Sequence, residues 1–367
     1  MSSVGADARS FALAGRTGRE DSGFLAGALA AYAAASRCRG ETQFALRLGR
    51  LSVTLRVVGR PLADSLLPAL AQLSTEPAAA PDVTFCAFDG EPPGIMSALQ
   101  IHSLAPNARV KLTFPSGSLL RGLYDHATRS LSLLDIANRV GIFWTPDGAT
   151  LPYWERGAPL RCLWAWCCAA HGMQLVHAGA IGRPDGGVLV AGASGSGKST
   201  TTLAAIGSAL RYAGDDYTVV DIGTPPRVLC LYSSGKLGCE HARNFSHLDR
   251  ALDRVDDEAA EKKIFFVWAS FPDAVIREMP LRALLFPRLT GADAPRFSPV
   301  SAAEALRLMA PSTVNQMPYS DAGDLRRMAR LAAALPAFTL DLGGPIDALP
   351  AAIDLLFSRC PDSVSKS

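Results

Sequence analysis

Gly192-Ala-Ser-Gly-Ser-Gly-Lys198-Ser199 is the stretch on which the reading of this chain turns. It follows the apolar run Val188-Leu-Val-Ala191 at once and leads into helix-compatible residues from Ser199 to Leu210, so it joins a strand to a helix. In that setting glycines let successive backbone N–H groups turn inward around phosphate oxygens, and the helix presents its positive N-terminal end to the same anion. Gly192, Gly195 and Gly197 supply the permissive backbone, with Ala193, Ser194, Ser196 and Thr200 completing the cradle. Lys198 then reaches the β- and γ-phosphates and the Ser199 hydroxyl joins the coordination of magnesium. A Gly/Ser-rich surface loop with a chance lysine is the plain alternative, and the strand-to-helix context speaks against it. The segment predicts a P-loop that binds a nucleoside triphosphate with Mg2+.

Working outward, Met173 to Ile181 reads as one strand, and Pro184-Asp-Gly-Gly187 as the turn that carries it into residues 188–191. Before it, Leu160 to His171 reads as a buried helix closed by Gly172. After the P-loop helix, Ala213-Gly-Asp-Asp216 is a turn and Tyr217 to Asp221 a strand. Lys263 to Trp268 and Leu281 to Phe286 are further strands, and Ser301-Ala-Ala-Glu304 is a capping box before a short helix. A helix from Ala322 to Leu335, a strand from Phe338 to Leu342 and a helix to about Phe357 close the chain.

Three further features bear on chemistry. Gly214-Asp215-Asp216 follows the P-loop closely. A triphosphate site needs a carboxylate for its metal, and a kinase needs one to accept the hydroxyl proton, so two adjacent carboxylates can divide those tasks. Alone, the triplet is also an ordinary surface turn. His177, in Leu175-Val-His-Ala-Gly-Ala180, stands one strand before the P-loop; on pattern alone it reads as readily as a hydrogen-bonded core histidine as a phosphate neighbour. Lys236, Arg243, Lys262 and Lys263 are cations that could neutralise charge in phosphoryl transfer, although most surface lysines are simply solvated. The mixed-charge stretch from Asp249 to Lys263 reads as an exposed helix or lid, and His241 and His247 have no evident partners.

The first half is different in character. Residues 1–22 lack periodicity and read as a flexible tail, and Phe24 to Ser36 as a weakly specified helix stopped at Gly40. Phe44, Leu46, Leu48 and then Leu51, Val53, Leu55, Val57 alternate on either side of Gly49-Arg50, which predicts a β-hairpin. Leu62 to Leu73 has helical spacing, and short β-rich pieces follow at Asp82 to Phe88, Arg109 to Phe114, Gly122 to Tyr124, Ser130 to Ile136 and Val140 to Trp144. These residues suggest a small α+β domain without a catalytic constellation. The chain thus divides into a tail at 1–22, an α+β domain at 23–150, a catalytic domain at 151–358 and a tail at 359–367.

Whole-chain properties bound the function. At 367 residues with 49% apolar content, the chain can bury a substantial core. With 36 Lys plus Arg against 34 Asp plus Glu, its formal charge of +2 gives no reason to expect a nucleic-acid or membrane-surface partner. The strongest apolar run, Cys162 to Ala170, falls far short of the roughly 18 residues a membrane span needs. The eight cysteines have no CxxC pair and no zinc-ligand spacing, and read as reduced, mostly buried thiols. The N-terminus does not have the order of a secretory signal, so the expectation is a cytoplasmic, soluble protein.

With these motifs assembled, residues from about 155 to 357 resemble the kinase domain of HPr kinase/phosphorylase, a P-loop fold related to phosphoenolpyruvate carboxykinase. The phrases Leu175-Val-His-Ala-Gly-Ala180, Gly195-Ser-Gly-Lys-Ser-Thr-Thr201, Gly214-Asp-Asp-Tyr217 and Leu231-Tyr-Ser-Ser-Gly-Lys-Leu237 are similar to the HPr-serine-kinase-like proteins. Some of that group accompany peptide natural-product clusters, including those of lasso peptides, and phosphorylate the precursor. The resemblance implies an α/β fold, with a P-loop kinase domain of that type beside a small N-terminal α+β domain. It further implies ATP with Mg2+, Gly192 to Ser199 as the triphosphate loop, Ser199 and Asp215 at the metal, Asp215 and Asp216 as metal carboxylate and general base, and His177 beside the phosphates. HPr kinases assemble, which raises a homo-oligomer as a partner; the sequence itself leaves the oligomeric state open.

One departure stands out. The Glu-Ile-Arg-Gly-type segment of the HPr kinases is missing, and Tyr232-Ser-Ser-Gly-Lys236 stands near its place, with Lys236 or Lys262 as replacement cations. The leading expectation is a kinase that phosphorylates a hydroxyl, serine above all, of a peptide or small protein. Two other classes stay open: an ATP-dependent binding module or switch that transfers nothing, and a carboxykinase-type enzyme acting on a small carboxylic acid, for which the arginine cluster is lacking.

Overall fold

The computed structural model describes residues 10–12, 18–94, 108–115, 117–238, 245–252, 262–317 and 321–357. They fall into two compact units. The first holds the described residues up to Leu67, then Ser74–Ala170 and Met317; the second holds Pro68–Leu73, His171–Gln316 and the described residues from Asp321 onward. Residues 151–170, placed by sequence with the second half, cluster with the first unit because the helix Arg161–Ala170 sets Trp164 edge-on against Phe85, ring centroids 5.2 Å apart.

The first unit is built on β1 Ser10–Ala12, β2 Glu41–Leu48, β3 Leu51–Val58, β4 Val83–Asp89, β5 Arg109–Thr113, β6 Leu120–Asp125, β7 Ser130–Asp135 and β8 Val140–Thr145. They form one sheet in the order β1-β5-β6-β7-β8-β4-β3-β2. The hairpin expected at 44–57 is β2–β3, with Leu48 opposite Leu51 across Gly49-Arg50. One face packs on the helix Gly18–Arg39, where Phe24, Leu25, Ala28 and Tyr32 meet Phe88, Tyr124 and Trp144. Within the stretch 1–22 read as a tail, Ser10–Ala12 pairs in parallel with β5, and helix begins at Gly18. Residues 1–9 and 13–17, like the closing tail at 359–367, lie outside the described residues.

The second unit contains β9 Met173–Val176, β10 Ala178–Arg183, β11 Gly186–Ala191, β12 Arg211–Gly214, β13 Thr218–Asp221, β14 Arg227–Leu229, β15 Ser234–Gly238, β16 Lys262–Phe266, β17 Glu278–Ala292, β18 Arg296–Val300 and β19 Ala337–Gly343. Its main sheet runs β12-β10-β11-β17-β14-β13-β9, with β19 also on β17 and β18 on β19; β15 and β16 form a separate two-stranded ribbon. The continuous apolar run in β11 reflects burial on both faces. Leu189 and Ala191 join a cluster with Met309, Met328 and Leu331, while Val188 and Val190 join one with Leu349, Ile353 and Leu356.

Several expectations change in detail. The single strand read over 173–181 is broken at His177: β9 pairs with β13, whereas β10 pairs with β11 and β12. The helix after the P-loop covers only Lys198–Leu203 and not the stretch to Leu210. Thr201 turns its hydroxyl back on the Gly197 carbonyl, and the chain then tightens into i→i+3 bonds up to Gly207, whose φ is +84°. At Ser301 only half of the capping box forms: Glu304 N–H donates to Ser301 Oγ, but the Glu304 carboxylate turns to Arg307. The six described cysteines are free, four of them buried. Among the described residues no helix is long and apolar enough to cross a membrane.

Candidate functional site

Two neighbouring segments create the site, and both do so by leaving one part of the sheet for another. Val176 pairs with Thr218 and Ala180 with Gly214, so the same antiparallel register runs on either side of a gap. In that gap His177 stands opposite Tyr217, and Gly179 opposite Asp215. The ladder is interrupted exactly where the polar side chains stand, which frees them from strand pairing. Gly179 is demanded by close approach: a Cβ there would lie 2.4 Å from Thr202 Cγ2, 2.8 Å from Gly214 O and 2.9 Å from Asp215 O.

Beside this crossing, β11 ends at Ala191 and the P-loop begins. Gly192, Gly195 and Gly197 have φ of +138°, +76° and +102°, a region closed to most side chains. At Gly197 a Cβ would also meet Leu342 Cδ1 at 2.1 Å, so this position admits glycine alone. Lys198 is buried and its Nζ donates to Gly192 O at 3.0 Å and Ala193 O at 2.9 Å, folding the ammonium back over the loop. Ala193, Ser194 and Gly195 form the exposed rim, and Ser196, Ser199 and Thr200 are half-buried. Ser196 Oγ is buried and has no hydrogen-bond partner among the described residues. A buried hydroxyl without a partner, in a loop of left-handed glycines, fits an anion held by that loop.

Asp215 and Asp216 are neighbours with opposite electrostatics. Asp215 is 2% exposed; its Oδ1 accepts from Thr202 Oγ1 at 2.7 Å and its Oδ2 from the Lys236 N–H at 3.2 Å. Burial raises its pKa, with the charge of Asp216 adding to the rise, and hydrogen bonds from Thr202, the Lys236 N–H and Ser199 offset this only in part. For Asp216 burial also pushes upward, but the Lys236 ammonium and His177 win and hold its carboxyl well below the usual range. Its Oδ1 accepts from His177 Nε2 at 2.9 Å and its Oδ2 from Lys236 Nζ at 2.5 Å.

Because an ionised Asp216 only accepts, His177 Nε2 is the donor of this hydrogen bond. The His177 backbone N–H donates to Thr313 Oγ1 at 3.1 Å, and its ring lies 5.3 Å from that of Tyr217. Its Nδ1 is buried without a hydrogen-bond partner among the described residues. Tyr217 is fixed in turn by its hydroxyl, which donates to Gln316 Oε1 at 3.3 Å. The helix Ala302–Gln316 thus backs the crossing through Thr313 and Gln316.

The structure brings together Lys198, Ser199, Asp215, Asp216, His177 and Lys236, which the sequence singles out. The Lys262 side chain lies outside the described residues. Sequence reasoning passes over Thr202, Gly179, Tyr217 and Thr313. Thr202 had a signal, since it stands four residues after Lys198 and so on the same helix face; Thr313, far along the chain, had none. No group of three or more His, Cys, Asp or Glu among the described residues is arranged to hold a metal ion, so the fit for magnesium rests on the Ser199 hydroxyl and the Asp215 carboxylate, hard oxygen donors in hydrogen-bond contact. That suits an ion completed by phosphate oxygens and water.

No protein-family model and no curated protein matches the chain. Among solved structures it is similar to the HPr(Ser) kinase/phosphatase from Coxiella burnetii, at 15% identity over 51% of this chain and 95% of that one, with a TM-score of 0.28. A likeness of that size carries no weight for activity or site.

Proposed function

We propose that the second unit is an ATP- and Mg2+-dependent phosphotransferase that moves the γ-phosphate onto a hydroxyl. The observation that carries this reading is the hydrogen bond from Thr202 to Asp215, which ties the carboxylate pair to the very helix that bears Lys198 and Ser199. A switch needs a metal ligand there; the second, separately held carboxylate is what phosphoryl transfer adds.

Ser199 and Asp215 would hold the ion, which when bound neutralises and orients the phosphates. Lys198 exchanges the carbonyls of Gly192 and Ala193 for phosphate oxygens, and the loop N–H groups hold charge on the same side. Asp216, kept ionised, accepts the hydrogen bond of the incoming hydroxyl and takes its proton as the new O–P bond forms. His177 holds Asp216 Oδ1 and so fixes which oxygen faces the acceptor.

Because the motif phrases resemble those of HPr-serine-kinase-like proteins, the acceptor in this proposal is a serine of a peptide or small protein, such as a ribosomal natural-product precursor of the lasso type. Incubation with γ-labelled ATP and candidate peptides, followed by mass spectrometry, tests it. Label on a peptide serine that disappears with Lys198→Ala is the expected result; label retained by Lys198→Ala would overturn the site.

A further inference from the structure

Lys236 touches both carboxylates, by different atoms. Its backbone N–H donates to Asp215 Oδ2 at 3.2 Å, while its Nζ lies 2.5 Å from Asp216 Oδ2 and 5.9 Å from the centroid of the Tyr217 ring. The backbone contact is rigid, because Lys236 pairs with Ile264 in the β15–β16 ribbon. The ammonium end is not: it stands on a four-carbon stem with its own rotamers and is 15% exposed.

This arrangement creates a conflict for the chemistry proposed above. With Oδ1 engaged by His177 and Oδ2 by Lys236, both oxygens of Asp216 are already taken. A carboxylate oxygen covered by an ammonium is a poor acceptor for a hydroxyl proton. Lys198, which is buried, donates its ammonium to two neutral carbonyls instead. A triphosphate entering the P-loop brings several negative charges, against the single charge of Asp216, and an ammonium is drawn to the larger charge.

We propose that Lys236 is a catalytic residue that changes partner during the reaction: it covers Asp216 Oδ2 in the free site and passes to the transferred phosphoryl group when nucleotide binds. Asp216 Oδ2 is thereby uncovered only when there is a phosphate to transfer. The acceptor O–H bond then breaks with its proton going to Asp216, the acceptor O–P bond forms, and the bond from the γ-phosphorus to the bridging oxygen breaks with its electron pair leaving on the diphosphate. The cation also arrives where negative charge is spread in the transition state, which suits the absence of the arginine-bearing segment noted in the sequence. This inference rests on the phosphotransferase reading.

The test uses the full chain, γ-labelled ATP and an acceptor peptide that the unaltered protein labels, with Lys236→Met, Lys236→Gln and Lys236→Arg. Nucleotide affinity is measured separately with a fluorescent ATP analogue. The expected result for Lys236→Met is a fall in kcat of ~10²–10³-fold with the nucleotide Kd changed by less than about fivefold, the pattern of a group acting on the transition state. Lys236→Arg should recover at least about a tenth of the rate, since the charge returns but on a planar guanidinium in place of a compact ammonium. If Lys236→Met does not fold, Lys236→Gln, which keeps a hydrogen-bond donor for Asp216 but no charge, serves in its place. A kcat within about threefold of the unaltered protein, or a loss confined to nucleotide Kd, would overturn the role while leaving the phosphotransferase reading standing. No label transferred by the unaltered protein to any acceptor would count against that reading, and this role would fall with it.

Discussion

His177 Nε2 lies 2.9 Å from Asp216 Oδ1, and the pair is produced by two chain segments that leave one part of the sheet side by side. The result is that Asp216 gains two donors while its neighbour Asp215, in the same turn, is pressed inward. The two carboxylates should therefore act on stability with opposite signs. Asp215 has a raised pKa in the fold, so its ionised form costs stability above the ordinary aspartate range, and that cost is relieved as pH falls. Asp216 has a lowered one, so it contributes stability above about pH 4 that is lost as pH falls further. Asp215→Asn should cost the metal-free protein less stability at pH 7 than Asp216→Asn, which should lose about 1–3 kcal/mol by leaving Lys236 without its counter-ion. Both should abolish transfer. Thermal melts at pH 7 check the order; equal destabilisation by the two would refute this account.

Gly179 gives a steric counterpart. Its missing Cβ is what lets the Thr202 methyl and the Asp215 carbonyl close on the same point. Gly179→Ala places an atom where three others already stand, two of them backbone oxygens, and overpacking of this kind costs about 1–3 kcal/mol. Activity should fall more than stability, because the displaced atoms belong to Thr202, Gly214 and Asp215, all at the site. Denaturant titration beside a transfer assay measures both; a fully active Gly179→Ala variant would show that the site tolerates the shift.

How far the sequence could be read follows from the same local physics. The β2–β3 hairpin is legible because period-two alternation breaks at Gly49-Arg50, and the P-loop because its glycines sit between an apolar run and a helix. The break at His177 is not legible, since Leu175-Val-His-Ala-Gly-Ala180 is apolar on both sides and nothing in it marks the change of partner strand. The helix after Lys198 is overread because Ala, Ile and Leu in 204–210 suit a helix and outweigh the break that Gly207-Ser208 marks. β17 is underread: only its buried middle looks like a strand, while residues 288–291 are exposed, and Arg288 and Leu289 follow β19 by backbone pairing. Lys236 joins Asp216 through a ribbon that begins only after β14, a placement spacing cannot give.

The thiols offer a check on burial that does not depend on any activity. Desolvation pushes the thiol of Cys86 up to about 11 and those of Cys167 and Cys230 up to about 12, with Cys168 well above its ordinary value, whereas Cys38 is exposed. Iodoacetamide at pH 8 should label Cys38 within minutes and leave the other four unmodified until the protein is unfolded. Peptide mass spectrometry with and without denaturant reads this out. Rapid native labelling of Cys230 would mean that the core beneath β14 opens readily.

Thr202 provides the sharpest separation of packing from positioning. It is fully buried, its hydroxyl donates to Asp215 Oδ1 at 2.7 Å, and its methyl fills the space left by Gly179. Thr202→Val keeps the shape and removes the hydroxyl, so Asp215 loses one of the bonds that offset its burial and the carboxylate is freed from the P-loop helix. A lost bond to a charged group costs about 1.5–3 kcal/mol. Thr202→Ser keeps the hydroxyl and removes the methyl, which costs about 1 kcal/mol in packing but leaves Asp215 in place. The expected order of transfer rates is therefore wild type, then Thr202→Ser, then Thr202→Val, with Thr202→Val also needing more magnesium for half-maximal rate. If Thr202→Val were as active as Thr202→Ser at limiting magnesium, the hydroxyl would have no part in setting Asp215, and the link between the P-loop helix and the carboxylate pair would be one of packing alone.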